Sequence, residues 1–238
     1  MPCLAPFKAP HIVTKVQAEA IVLDKVAYSE KDLVVTFLTS EHGVIPAIAR
    51  GARGSKRRFS WLDLFVKLSV IFVPKTPPKL WVVQEASVAE VYSDIFENLE
   101  RLEAGQAIVA LLKDALKDAP VMAELYQKVV GVLKGLSSAP AERAYMAVLD
   151  TLRIILDALG HGSVCEHCQR DIVVLNLGAF LLPSFNFICS ECGTKGDGVF
   201  MEPAQMKALF LQEDIGKQAT LALVSKVWHL FSQKTPLL

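Results

Sequence analysis

Leu33-Val34-Val35-Thr36-Phe37-Leu38-Thr39-Ser40-Glu41-His42-Gly43-Val44-Ile45-Pro46-Ala47-Ile48-Ala49 decides the fold class. Apolar and β-branched residues alternate from 33 to 39, Glu41-His42-Gly43 supplies a tight turn, and 44–49 returns as a second apolar run. This pattern is a β-hairpin. Before it, Ala18 to Lys25 is rich in Ile and Val and ends in the polar turn Tyr28-Ser29-Glu30-Lys31-Asp32. After it, 62–73 and 80–88 read as two more strands, parted by the breaker Pro74-Lys75-Thr76-Pro77-Pro78. Five short strands in 18–87 suit a small closed barrel better than an open sheet. Pro46 has no N–H to give a ladder, so its strand needs an open edge or a bulge there.

Beyond Val88 the period becomes helical, over 91–118, 124–136 and, most clearly, 140–159. Pro140 suits a first turn and Gly160 a C-terminal cap. Met146, Leu149, Arg153, Leu156 and Leu159 trace one stripe in which Arg153 is the polar member. Helical spacing resumes over 206–211 and 221–231. The expected organisation is α+β and multidomain: a barrel over 1–90, helices over 91–162, a cysteine module over 163–198 and helices again over 199–238.

The 238 residues carry 25 Lys+Arg and 25 Asp+Glu, with 52% apolar residues and a mean hydropathy of +0.36. That much apolar surface excludes disorder as the main state. The neutral total conceals a polarity. Residues 1–92 have a net charge of +4 and the remainder −4, and 43–81 contains eight basic residues against one acid, Asp63. Such asymmetry points to a polyanion-binding face on the N-terminal part. The opening residues lack the basic-then-apolar pattern of a signal peptide. The uncharged stretch Ile172–Ser190 carries Asn176, Gly178, Pro183 and Asn186, so a buried hairpin is expected there, not a membrane span. A soluble, cytoplasmic protein is the resulting expectation.

Cys165-Glu166-His167-Cys168 and Cys189-Ser190-Glu191-Cys192 stand 20 residues apart. Two Cys-x2-Cys turns at this spacing present four sulfurs to one ion, as in a structural Zn²⁺ site, and leave no open position for a reactive water. Gly193 is expected to turn the chain through positive φ. Two redox dithiols, or four buried thiols, are the competing readings. Cys3, His161 and His167 are surplus to the site.

Arg50-Gly51-Ala52-Arg53-Gly54-Ser55-Lys56-Arg57-Arg58-Phe59-Ser60-Trp61 joins the third and fourth strands with five cations in nine residues, then two aromatics. Cations displace phosphate counterions, glycines allow close backbone approach, and aromatic faces stack on bases. Candidate DNA contacts are Arg50, Arg53, Lys56, Arg57 and Arg58, with Lys67 and Lys79 on the flanking strands. Phe59 or Trp61 could stack on bases, or simply anchor the loop. The five histidines are scattered, and no nucleophile elbow, phosphate loop or His-Glu-x-x-His motif occurs. Glu30 and Asp32 read as a solvated turn. Catalysis is therefore not expected.

Together, Ala20-Ile21-Val22-Leu23, Tyr28-Ser29-Glu30-Lys31-Asp32-Leu33, Phe37 to Gly43 and Ala49-Arg50-Gly51-Ala52-Arg53 resemble the opening of bacterial RecO recombination mediators. The likeness continues through Phe96 to Leu102 and through Leu156-Asp157-Ala158-Leu159-Gly160 ahead of the cysteines, covering 18–235. In the stretch from Lys56 to Phe65 the chain departs from the Leu-x-Pro-Phe-like segment more usual in the family. The resemblance implies an N-terminal five-stranded OB-fold barrel, an α-helical C-terminal domain and an inserted four-cysteine zinc ribbon. It implies a cytoplasmic, nucleoid-associated, non-enzymatic protein that binds single- and double-stranded DNA and anneals complementary strands. With RecR, such a protein helps replace single-strand-binding protein by RecA. An apolar groove on the helices is expected to take the C-terminal tail of single-strand-binding protein. The alternative is a zinc-ribbon RNA- or ribosome-associated binding protein; a dithiol oxidoreductase or a nuclease is the third reading.

Overall fold

The computed structural model describes residues 15–232 apart from 56, 57, 60, 77–79, 118–122, 183, 185, 195 and 197, and side chains as far as Lys226. Five strands form first: β1 (Val16–Ala27), β2 (Leu33–Thr39), β3 (Gly43–Ala49), β4 (Val66–Val73) and β5 (Trp81–Val91). They close in the order β1-β2-β3-β5-β4, with β4 returning antiparallel to β1. A parallel seam joins Ala47–Ala49 of β3 to Trp81–Val83 of β5. This is the five-stranded OB-fold barrel. Pro46 pairs with Thr36 of β2, but β5 pairs only from Ala47 onward, so the edge at Pro46 is open as its missing N–H requires. At the β2–β3 turn Gly43 takes φ 67°, and Thr39 Oγ1 both accepts from the His42 N–H and donates to the Gly43 carbonyl.

Strand alternation sorts β1 between two cores. Ala18, Ala20 and Val22 enter the barrel, whereas Ile21 and Leu23 join the helical core outside it. A register shift between Val22 and Asp24 accompanies this double duty.

Two expected boundaries move. β4 begins at Val66, not 62, because Phe65 occupies left-handed space at φ 60° and cannot extend a strand. β5 runs on to Val91, opposite Val66, and the first helix waits until Asn98. There the Asn98 side chain accepts the Arg101 N–H at 3.1 Å and starts α1 (Leu99–Ala115).

α2 (Ala123–Ser138) and α3 (Ala144–Ala158) pack with α1; a 3-10 turn at Ala141–Arg143 precedes α3. Gly160, at φ 77°, ends α3 in a Schellman motif, with the His161 N–H on the Leu156 carbonyl and its own N–H on that of Asp157. The stretch 172–190 forms a hairpin, β6 (Ala179–Leu181) with β7 (Phe187–Cys189), and β8 (Val199–Met201) adds on the far side of β6. α4 (Pro203–Leu211) and α5 (Lys217–Ser232) complete the helical part. The polar member of the α3 stripe, Arg153, has its reason here. Its guanidinium donates to the carbonyls of Leu209, at 2.6 Å, and Ala208, satisfying the C-terminal end of α4, while Asp150 balances its charge.

The barrel meets the helices at Phe65 and Gly105. Phe65 is fully buried, and a Cβ on Gly105 would lie 2.7 Å from two of its ring atoms. Gly105→Ala in a bare helix would gain about 1 kcal/mol from propensity. Here it is expected to cost about 1–3 kcal/mol by overpacking, measured by urea unfolding. Phe65→Leu in the same chain is expected to relieve part of that cost, a coupling that a double-mutant cycle reads directly.

Candidate nucleic-acid interface and metal centre

The basic loop is held at both ends. At its start Gly51 turns through φ 72° and its N–H donates to Asp32 Oδ1 at 2.8 Å. The Arg53 N–H donates to the Lys31 carbonyl at 3.1 Å and Arg53 Nη1 to the Ser29 carbonyl at 3.0 Å. The β1–β2 turn and the loop therefore form one unit. Further on, the Arg58 carbonyl accepts the Ala86 N–H and Arg58 Nη2 donates to the Gln84 carbonyl at 2.8 Å, laying the loop against β5. Phe59 and Leu62 are buried in the barrel core, and the Arg58 guanidinium sits 4.9 Å from the Phe59 ring centre. Phe59 is thus an anchor, not a free stacking surface, whereas Trp61 is 53% exposed.

Arg50, Arg53 and Arg58 are all exposed, and none pairs with a carboxylate among the described residues. Of the acids nearby, Asp32 holds the Gly51 N–H and Asp63 pairs with Lys25 at 2.7 Å, while Glu30 and Glu85 are exposed. Lys67 stands apart, half-buried on β4 with its ammonium 2.8 Å from Glu19. Lys56, Arg57 and Lys79 lie outside the described residues. Arg50, Arg53 and Arg58 thus form an exposed cationic rim with no ion pair among the described residues.

In the cysteine module the four sulfurs of Cys165, Cys168, Cys189 and Cys192 all lie within 4.8 Å of one another. A tetrahedron with metal–sulfur bonds of about 2.3 Å has edges of about 3.8 Å, which is the separation of the Cys168 and Cys189 sulfurs, 3.8 Å. The N–H groups of Cys168 and Cys189 point at the Cys165 sulfur, at 3.5 and 3.3 Å, favouring thiolate there. The donor set could hold a metal ion. Crowding splits the thiols: hydrogen bonding from Arg170 brings Cys168 down to about 6, while its contact with Cys189 and burial push Cys192 up to about 12. A cation among them removes that conflict.

Two details of the module differ from the sequence reading. Gly193 does not adopt positive φ; Gln169, directly after Cys168, does, at 60°. Gly193 is needed because a Cβ would strike Phe180 at 2.7 Å and Ile188 at 3.0 Å. Spacing does not single out Arg170, yet its Nε lies 3.3 Å from the Cys168 sulfur and its Nη2 pairs with Glu191, tying one cysteine turn to the other.

A groove of about 680 Å³ opens between α2 and α3. Val132, Leu136, Met146 and Ile154 supply apolar lining, Lys128 and Arg143 positive charge, and Gly131 and Gly135 have open space where side chains would stand. Among the described residues no helix is long and apolar enough to cross a membrane.

These features define the class structurally: a five-stranded OB-fold barrel with a cationic loop, leading into helices that carry a four-cysteine cluster able to hold a metal ion. The family model for the recombination protein O N-terminal domain matches residues 13–92. The DNA repair protein RecO of Geobacter sulfurreducens is 32% identical over 202 residues, covering 80% of this chain and 78% of that protein. That of Desulfosudis oleivorans is 28% identical, over 75% of this chain and 72% of its own. The match to RecO of Anaeromyxobacter dehalogenans, at 31% identity, spans 57% of this chain and about half, 54%, of that relative. The chain belongs to the RecO family of DNA repair proteins.

Elemental analysis of the purified chain is expected to give one tightly held divalent metal, lost on Cys189→Ser. Arg170→Gln should keep the stoichiometry but weaken the metal affinity by about 10- to 100-fold, read by competition with a chromophoric chelator.

Proposed function

We propose that the chain is a non-enzymatic recombination mediator. It binds single- and double-stranded DNA without sequence preference, anneals complementary strands and, with RecR, helps replace single-strand-binding protein by RecA. One observation carries this reading: three exposed arginines, free of carboxylate partners among the described residues, on a loop pinned to an OB barrel in a RecO-family chain. Arg50, Arg53 and Arg58, with Lys56 and Arg57 of the same loop, neutralise phosphates and so lower the repulsion between two strands held together. Annealing then needs no bond-making step. Lys79 extends the contact, and Lys67 adds least because Glu19 already balances it. Trp61 is the loop's stacking candidate.

The metal is Zn²⁺, chosen by four thiolates in a closed tetrahedral set, and its work is to fix the module between α3 and α4. The α2–α3 groove takes the C-terminal tail of single-strand-binding protein: apolar walls suit apolar residues, and Arg143 suits a chain-terminal carboxylate, Lys128 being already paired with Glu124 and Asp157. The protein acts in the cytoplasm, at the nucleoid.

Charge reversal at Arg53, Lys56 and Arg57 is expected to abolish DNA binding and annealing of strands coated with single-strand-binding protein, with zinc content intact. In the unaltered chain, five phosphate contacts give log K against log salt a slope of about −3 to −4 on single strands. Undiminished binding in the triple variant refutes the loop assignment, and preference for structured RNA over single-stranded DNA refutes the DNA reading. Ile154→Asp should weaken a tail peptide while leaving oligonucleotide affinity unchanged.

A further inference from the structure

We propose that Tyr28, which opens the β1–β2 turn directly after β1, is a base-stacking residue: its ring carries an unpaired base beside the phosphates gripped by the basic loop. The inference rests on the single-stranded-DNA reading above and adds a contact to it.

Tyr28 is 68% exposed, although a phenol ring contributes more to stability buried than in water. Its backbone, in contrast, is thoroughly tied. The Tyr28 N–H donates to the Asp32 carbonyl at 3.1 Å, and Ser29 Oγ accepts the N–H groups of Lys31 and Asp32 at 3.3 and 3.0 Å. Asp32 in turn holds the Gly51 N–H, and Arg53 holds the carbonyls of Ser29 and Lys31. Among the described residues no hydrogen bond or ring contact engages the Tyr28 side chain. The fold therefore presents an aromatic face on a rigid stalk whose other fastening is the cationic loop itself. Lys31 and Arg53, both exposed, flank it within the same hydrogen-bonded unit. An aromatic face next to backbone-tracking cations is what sequence-tolerant single-strand binding uses, since every base has a π-face while phosphates supply the charge. Val26, two residues earlier at the end of β1, is exposed as well.

The test compares unaltered protein with Tyr28→Ala, Tyr28→Phe and Tyr28→Leu on oligothymidylate, on an abasic strand of equal length and on duplex, each across a salt series. Tyr28→Ala and Tyr28→Leu are expected to lose about 5- to 100-fold on oligothymidylate. They should match the unaltered protein on abasic strand and duplex and keep its salt slope. Tyr28→Phe should keep full affinity. Equal binding of Tyr28→Ala to oligothymidylate overturns the proposal, as does an equal loss on the abasic strand, which would mark a structural role. An unaltered protein that binds none of the three substrates overturns the DNA reading itself, and this inference with it.

Discussion

The molecule hinges on a ring seated where a helix has no side chain. Phe65 closes the basic loop, and it does so at positive φ, a conformation that costs a bulky residue about 1–3 kcal/mol. The surrounding structure must over-determine it. Gly105 in the middle of α1 makes the space, Ile95 and Phe96 line it, and the Phe65 carbonyl accepts the Tyr92 N–H at 3.0 Å. Gly105 itself gives up helix propensity to allow this. Two local penalties are thus accepted together, and what they secure is one fixed orientation of barrel, loop and helices.

The same logic of shared fastening runs through the barrel's charged end. A loop with five cations repels itself and, left to solvent, would sample many shapes. Here it is fixed without an ion pair: by backbone hydrogen bonds to β5 and to the β1–β2 turn, by the Arg53 and Arg58 guanidiniums on the Ser29 and Gln84 carbonyls, by two buried side chains, and by Asp32 on an N–H instead of on a cation. Guanidiniums that rest on carbonyls and not on carboxylates keep their charge available. Lys67 shows the opposite arrangement. It faces the helical side, where Glu19, Glu90, Tyr92 and Tyr126 gather; burial, helped by those carboxylates, keeps both tyrosine hydroxyls protonated far above the usual range.

What can be read in the sequence follows from the range of the interactions concerned. The β2–β3 hairpin, the cap at Gly160, the open edge at Pro46 and the paired cysteines are local, decided within a few residues by turn chemistry, a missing N–H or a ligand spacing. The starts of β4 and α1 are displaced because they depend on contacts between distant segments: Phe65 against Gly105, and Val66 opposite Val91. Phe59 and Trp61 look alike in sequence, and only the closed barrel separates the buried one from the exposed one. Gly193 is legible as necessary but not for the right reason, since the demand comes from Phe180 and Ile188 across the β6–β7 sheet. Arg170 and Tyr28 carry a faint signal. One stands two residues after a cysteine of the cluster and the other sits alone at a turn, but only geometry ties the first to that cluster and the second's turn to the basic loop.

The polarity of the chain gains meaning from this arrangement. A net charge of +4 over 1–92 and −4 over the rest would largely cancel if the two parts mixed. The interface between them is chiefly the apolar face of Ile21, Leu23, Leu38 and Phe65 against the helices, and the ion pairs that cross it, Lys113–Asp24 and Lys134–Glu90, take up barrel carboxylates and leave the loop arginines unpaired among the described residues. Within about 10 Å, the screening length at 0.1 M salt, each part keeps its own field. A polyanion is drawn to the barrel end and discouraged from the helical end. Of the helical cations, Lys113 and Lys134 pair with the barrel carboxylates Asp24 and Glu90, while Lys128 pairs with Glu124 and Asp157. The α2–α3 groove therefore presents cations only as a local rim, too few to hold a long phosphate chain. In the proposed function, therefore, nucleic acid at the barrel end and a tail peptide in the groove need not compete for one surface.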